Sequence, residues 1–516
     1  MKNSDIEAAW VYHNGTKHSY KSVRTSRHYL DWENQPRPFK VYKNLAAIPL
    51  PEHLSPSETP ALVAVSAAGT DGDPQGALGL QTLAEMLFLS AGITKRRKYP
   101  GGEILFRAAA CTGALYHIDL YIVCGDLDGL QAGVYQFSPQ DFSLRRLRAG
   151  DYRSVLVDAA GEEPAIASAP CALVSASTFW RNAWKYQARA YRHCYWDNGT
   201  ILANLFAAAQ ARKIRAKLVM GFIDRAVSEL LALDARREAP LSLVSLGTAP
   251  PTSARSIATI EPAAFETEPL SKSEVDYPAM REMHEASSLE SGAEVAAWRE
   301  KKNAAGEILT NRKERGRLFS LQPLGDDELP GDTLEEVILR RGSTREFPRE
   351  SISFGQFSTM LDRATRGIHA DFLGSPRASL NDLYLIVHAV DGLPPGAYFF
   401  RRQERSLELL KEGDFRREAG YLGLGQAIPA DCSANVYFLT DLKSVLNRFG
   451  NRGYRAAQIE AAIMGGKLYL AAYAQRLGAS GLTFFDDDVT EFFSPHAAGK
   501  SVMFLIALGK SAKRRN

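Results

Sequence analysis

Residues 127–137 read LDGLQAGVYQF, residues 390–400 read VDGLPPGAYFF, and the two stretches stand 263 positions apart. The same offset pairs Tyr121 with Tyr384, Asp128 with Asp391, Tyr135 with Tyr398, Tyr191 with Tyr454, Leu205 with Leu468 and Phe222 with Phe485. A register held over roughly 100 residues marks a duplicated domain, because chance similarity drifts. The period is far too long for a solenoid unit, so each copy must bury a core of its own. The 516-residue chain is expected to divide into a first domain with an N-terminal extension (1–247), a linker with helices (248–332) and a second domain (333–516).

Apolar patterning predicts a helix at Leu78–Ala91, strands at Leu120–Cys124, Gly133–Phe137, Ala172–Ala176 and Leu241–Leu246, and a long helix at Gly199–Arg212. Lys95–Lys98 reads as a basic loop before a turn at Pro100-Gly101-Gly102, and the aromatic stretch Trp180–Arg192 as another loop. The second copy repeats the pattern, with strands at Leu383–Val387, Ala397–Phe400, Asn435–Leu439 and Met503–Ala507 and a long helix at Tyr454–Gln475. Short strands among long helices, joined by hairpin signals such as Asp391-Gly392, give an α+β class. No glycine-rich phosphate loop stands between a strand and a helix, which leaves a dinucleotide fold or P-loop without support.

A net charge of +3 is too small to argue for nucleic acid or an acidic membrane as partner. Met1–Ala9 is polar and no run of 18 apolar residues follows anywhere, so neither a leader nor a membrane span is expected. The five cysteines are scattered, odd in number and without a CxxC. That pattern favours a reducing setting, the cytoplasm, and no metal site.

Four stretches have chemical potential. Arg341-Gly-Ser343-Thr-Arg345 places forked donors and a hydroxyl together, as a phosphate-bearing ligand requires; a solvated helix end is the alternative. Lys17-His18-Ser19-Tyr20-Lys21 keeps that basic-x-Ser-x-basic spacing and reads as its first-copy counterpart, with lysines in place of the fork. Cys111-Thr112-Gly113-Ala114, small and leading into a strand, lets a planar ring approach backbone amides, or is simply a tight turn. Its match contains Pro376 at the position of Gly113, which removes a donor. Lys185-Tyr186 is a base-and-donor pair if partly desolvated, and an exposed loop pair otherwise. At the same offset stand Arg448, no proton acceptor near neutral pH, and Phe449, without a hydroxyl. Asp486-Asp487-Asp488 reads as a helix N-terminus, which makes Leu482–Thr483, just before it, a ligand-facing loop.

Together these elements resemble the nitroreductase-like flavin enzymes, and among them the SagB-type azoline dehydrogenases in a tandem fused form. Arg341-x-Ser343-x-Arg345 resembles that family's grip on the FMN phosphate and ribityl chain. Ala110–Tyr116 resembles its Pro-Ser-Ala-Gly-Ala-Leu-Tyr, and Asp128-Gly-Leu-x-x-Gly133-Val-Tyr135 the hairpin after it. Lys185-Tyr186 falls where azoline dehydrogenases carry a catalytic pair. Cys111 departs from the family serine and His117 from its proline.

The resemblance implies two nitroreductase-like domains, each a mainly antiparallel sheet flanked by helices, forming a pseudo-dimer within one chain. It implies one composite FMN site, with Arg341, Ser343, Arg345, Leu482 and Thr483 from the second copy. Cys111, Thr112, Gly113, Ala114 and the catalytic Lys185 and Tyr186 would come from the first. The reciprocal site would pair Lys17, Ser19 and Lys21 with Gly374–Ala378, where the small-residue loop is lost. The implied activity is oxidation of a C–H bond in a small-molecule heterocycle or peptide-derived substrate, with other biosynthetic proteins as candidate partners. An NAD(P)H-dependent nitroreductase or quinone reductase is the alternative on the same fold, and a non-catalytic partner in a biosynthetic complex is a second.

Overall fold

The computed structural model describes residues 2–66, 76–99, 102–255, 260–303 and 316–512. Each half builds a seven-stranded sheet. From edge to edge the first runs Ala47–Pro49, Ser143–Ala149, Gly133–Ser138, Ile118–Cys124, Cys171–Thr178, Glu238–Leu246 and Ala216–Val219. The second runs Leu318–Ser320, Ser406–Glu412, Gly396–Arg401, Asp382–Val387, Ala434–Thr440, Ser501–Gly509 and Gly478–Gly481. The order is the same strand for strand, and the pairings within both sheets are antiparallel. The central strands are buried on both faces, Ile118–Cys124 at every residue, because helices cover each sheet on both sides. The α+β expectation holds.

Two long helices, Ala190–Ala211 and Arg452–Ala474, lie between the sheets and are buried almost throughout. A Cβ added to Gly199 would fall 2.5 Å from that of Ala462, and one added to Gly466 would fall 2.5 Å from that of Ala203. Both pairs are repeat counterparts, so each residue meets its own image. That is the mark of a twofold relation, here within one chain.

Ionic contacts obey the same axis. Asp486 of the second half accepts from Arg189 (2.9 Å) and Arg192 of the first, and Asp224 of the first accepts from Arg452 (2.6 Å) and Arg455 of the second. Burial opposes the charge of Asp486, but Arg189 and Arg192 outweigh it and hold the carboxyl well below the usual range. Arg192 also donates to His13 O (2.7 Å) and Arg455 to His284 O (2.6 Å). The helix Glu7–Gly15 thus does for one half what Pro278–Ala286 does for the other. The repeat therefore runs on into the connecting segment, where the sequence similarity had faded.

Three local expectations are corrected. Lys95–Lys98 is not a loop but part of the strand Ile93–Tyr99, paired with Gly102–Arg107 in a two-stranded ribbon; its charged side chains are exposed, so no apolar alternation announces it. Pro100 and Gly101 of the expected turn lie outside the described residues. The aromatic stretch is helical: Phe179–Tyr186 is one helix, and the long helix starts at Ala190 rather than Gly199. Arg192, His193, Asp197 and Asn198 are buried there by pairing, which erases the apolar periodicity of a core helix. Finally, Asp224 and Asp486, each held by two arginines of the opposite half, stand 262 positions apart, so the register slips by one residue between the long helix and this acid. Counted back from that acid, Phe222 matches Phe484, not Phe485, and Gly221 matches Thr483.

Candidate active site between the halves

The residues singled out in the sequence converge where the halves meet. The loop Ala108–Tyr116 contains Gly113 at φ 62° and Ala114 at φ 55°. A Cβ on Gly113 would stand 2.9 Å from Tyr186 Oη, so only glycine lets the phenol close on this turn. Lys185 and Tyr186 end the helix Phe179–Tyr186, both half-buried, with Lys185 Nζ 5.5 Å from the Tyr186 ring centre. The helix is anchored from outside, Trp184 donating to Asp31 O (3.1 Å) and Trp180 to Ser271 Oγ (2.8 Å). Burial, with Asp197 and Cys111 adding to it, pushes the Tyr186 hydroxyl upward. It is therefore a neutral donor at ordinary pH.

From the second half, Arg341 follows the helix Leu334–Arg340 and reaches across the interface. Its Nε donates to Ala108 O (2.8 Å) and its Nη2 to Arg107 O (3.2 Å). Ser343 Oγ lies 3.3 Å from Tyr469 Oη, which in turn accepts from Gly481 N. The grip is thereby tied to the strand that leads into Leu482–Thr483. Arg345 is exposed and acts electrostatically on Tyr186.

Cys111 and Thr112 face inward. Asp197, on the first long helix, accepts from Cys111 Sγ (3.0 Å), Thr112 N (2.9 Å) and Thr112 Oγ1 (2.6 Å), and His117 Nε2 lies 2.9 Å away. Burial, then Asp197, pushes the Cys111 thiol up, so it is a protonated donor and not a nucleophile. The Cys111 thiol and the Thr112 hydroxyl both donate to Asp197, which leaves the backbone at Gly113 and Ala114 as the lining.

Asp197, His117 and Tyr469 were not anticipated. Two signals pointed to them: an acid persists at the Asp197 position of the second copy as Glu460, and Tyr469 replaces Phe206. In the Asp197→Asn variant the amide nitrogen would face donors it cannot accept from. The expected cost is roughly 3 kcal/mol, seen as a lower Tm together with weakened ligand retention. A variant melting within about 2 °C of the parent would show that this carboxylate does not hold the loop.

Lys17–Lys21 is not the counterpart of Arg341–Arg345. Lys17 pairs with Asp487 (2.8 Å), His18 N donates to Asp486 (2.8 Å) and Ser19 caps the helix Tyr20–Thr25. By position in the fold, the counterpart lies between the helices Ala61–Ser66 and Leu80–Ala91, a stretch whose residues 67–75 lie outside the described residues. The reciprocal pairing of Lys17, Ser19 and Lys21 with Gly374–Ala378 falls with it.

The cleft suits an anionic, flat ligand such as FMN. Burial presses the Arg341 guanidinium downward, and among the described residues tyrosines alone act against this, without a carboxylate near it. A half-buried cation with no acidic partner among the described residues calls for an anion. Arg345 and Lys185 likewise form no ion pair among the described residues. Thr483 Oγ1 is buried without a hydrogen-bond partner among them, an unspent polar atom at the edge of the cleft. No group of acids, histidines and cysteines able to hold a metal occurs among the described residues, and no helix there is long and apolar enough to cross a membrane.

Comparison with known proteins agrees with this geometry. A model described as the Nitroreductase family matches residues 86–248 and 338–510, once in each half and well over half of the chain. Two similar proteins have the label "putative nitroreductase". MJ1384 of Methanocaldococcus jannaschii is 28% identical over 170 residues, which are 33% of this chain and 81% of that protein. The crystal structure from Anabaena variabilis is 27% identical with a TM-score of 0.76, covering 98% of this chain and 99% of that one. The trifolitoxin operon protein TfxC of Rhizobium leguminosarum bv. trifolii is 26% identical over 168 residues, 28% of this chain and 46% of that protein. This chain thus spans about half of TfxC.

Proposed function

The chain belongs to the nitroreductase family, and from that premise we propose that it is an FMN-dependent oxidoreductase with one composite site between its halves. We propose further that it is a SagB-like dehydrogenase, oxidising a C–H bond of a heterocycle or peptide-derived substrate in the manner of azoline to azole. The observation that carries this reading is Arg341 of one half bonded into the loop of the other, beside Gly113 and Tyr186.

In this reading Arg341, Ser343 and Arg345 hold the phosphate and ribityl chain. The backbone at Gly113–Ala114 and the Leu482–Thr483 loop line the ring, with Cys111 and Thr112 shaping that backbone through Asp197. FMN, when bound, supplies the acceptor for two electrons that no side chain here provides. Desaturating a heterocycle also releases one hydrogen as a proton, and Lys185 Nζ is the base that takes it. Tyr186, neutral and fixed against Gly113, donates a hydrogen bond that orients the substrate. The Lys185-Tyr186 pair and the likeness to a protein named for the trifolitoxin operon support the substrate class.

The test is spectroscopic. The purified protein should show bound-flavin absorption that bleaches anaerobically with an azoline-containing peptide and hardly at all with NAD(P)H. Rapid bleaching by NAD(P)H, unchanged in Lys185→Ala, would instead support an NAD(P)H-dependent reductase.

A further inference from the structure

Across the twofold axis the counterparts of Cys111, Lys185, Tyr186 and Thr483 are Gly374, Arg448, Phe449 and Gly221. One element of the connecting segment touches all four: the helix Gly292–Glu300 and the turn Lys301–Asn303 that follows it. Trp298, 1% exposed, packs its ring 5.5 Å from that of Phe449 and donates to Phe449 O (2.9 Å). A Cβ on Gly221 would stand 3.1 Å from the same indole. Arg448 donates to Lys301 O (2.6 Å) and to Lys302 O, and Lys302 O would lie 3.3 Å from a Cβ on Gly374.

Asp371 completes the closure. Its carboxylate accepts from Met220 N and Gly221 N, both at 2.8 Å, the second of which corresponds to the Thr483 amide. Each departure from the first cleft thus has a use here. Phenylalanine without a hydroxyl admits the indole, glycine makes room for it, and arginine caps the carbonyl end of the helix that presents it.

The same element has another fate on the first side. Ser19 caps Tyr20–Thr25 by accepting from Ser22 N (3.1 Å), as Ser291 caps Gly292–Glu300 by accepting from Glu294 N (3.2 Å). Each follows its half's matched helix, Glu7–Gly15 or Pro278–Ala286. Yet every residue of Tyr20–Thr25 is exposed, so this helix is not packed into the first cleft.

We infer that the helix Gly292–Glu300 is a built-in plug, whose Trp298 closes the second cofactor cleft and leaves the chain one working site. The inference rests on the reading of the first cleft as a flavin site. The plug predicts that removing the indole reopens a slot for a flat ring.

Trp298→Gly in the full chain should lower Tm by on the order of 10 °C, and indole or lumiflavin should recover at least half of that shift while leaving the parent unchanged. No recovery with either ring, or equal recovery with non-planar cyclohexanol, would overturn the plug. If Trp298→Gly does not fold, a cycle between Gly221→Ala and Trp298→Phe decides. Gly221→Ala, whose Cβ would also stand 3.0 Å from Asp371 Oδ2, should lower Tm alone and by less beside Trp298→Phe; purely additive shifts would overturn the plug. A colourless parent that rejects FMN sinks the flavin reading, whereas these Tm tests read the plug without flavin.

Discussion

The Arg341→Ala protein is expected to purify folded but nearly free of flavin, with its Kd for added FMN raised about 100-fold or more. The guanidinium is a half-buried cation in the cleft, and its described neighbours include two carbonyls and the tyrosines Tyr116, Tyr469 and Tyr473. A charge-assisted hydrogen bond contributes about 1.5–3 kcal/mol, and near 2.7 kcal/mol the change in Kd is about 100-fold. The truncation also removes the Arg341 hydrogen bonds to Ala108 O, which keeps only Asn204 Nδ2 (3.2 Å), and to Arg107 O, so Tm should fall by about 5 °C. Flavin titration below that Tm separates weakened binding from unfolding. Arg341→Lys keeps the charge without the fork and should lie between the two. Parent-like affinity in Arg341→Ala would remove this residue from the cofactor's grip.

The second large effect is on turnover. Lys185→Ala should keep its flavin, because Lys185 makes no hydrogen bond to the loop Cys111–Ala114 or to Arg341 among the described residues. Its turnover should fall by about 10²–10⁴, the usual contribution of a positioned general base. Lys185→Arg should be no better, since a guanidinium does not accept a proton near neutral pH. The second half has made that very exchange at Arg448, where the side chain serves as a helix cap instead. A Lys185→Ala enzyme that oxidises the substrate at the parent rate would end the assignment.

The duplication, the α+β class and the meeting of four separated motifs were legible because they rest on composition and spacing. Hydroxyl, fork and small-residue types survive in a sequence as types. What could not be read depended on geometry between distant residues. The single residue missing from the second half after its long helix shifts Phe222 onto Phe484, and a constant offset hides such a slip. Lys17–Lys21 mimicked the phosphate grip by spacing alone, but its charges answer Asp486 and Asp487 across the interface. Asp197 was harder to read, because the acid kept at its repeat position as Glu460 gives no role until the donors around it are known. Trp298 was concealed more deeply, since an isolated tryptophan in a polar connector gives no sign of the cleft it enters.

The two halves were expected to differ in what they had lost. Phe449, Arg448, Gly374 and Gly221 instead form a matched set around one helix of the connecting segment. The halves differ because one cleft has been converted into packing.

The central claim is one cofactor site in a chain that has two clefts of common descent. Flavin released by heat from pure protein and quantified against chain concentration tests it most directly. The account predicts one FMN per chain, unchanged when excess FMN is added before gel filtration. Two FMN per chain would contradict it.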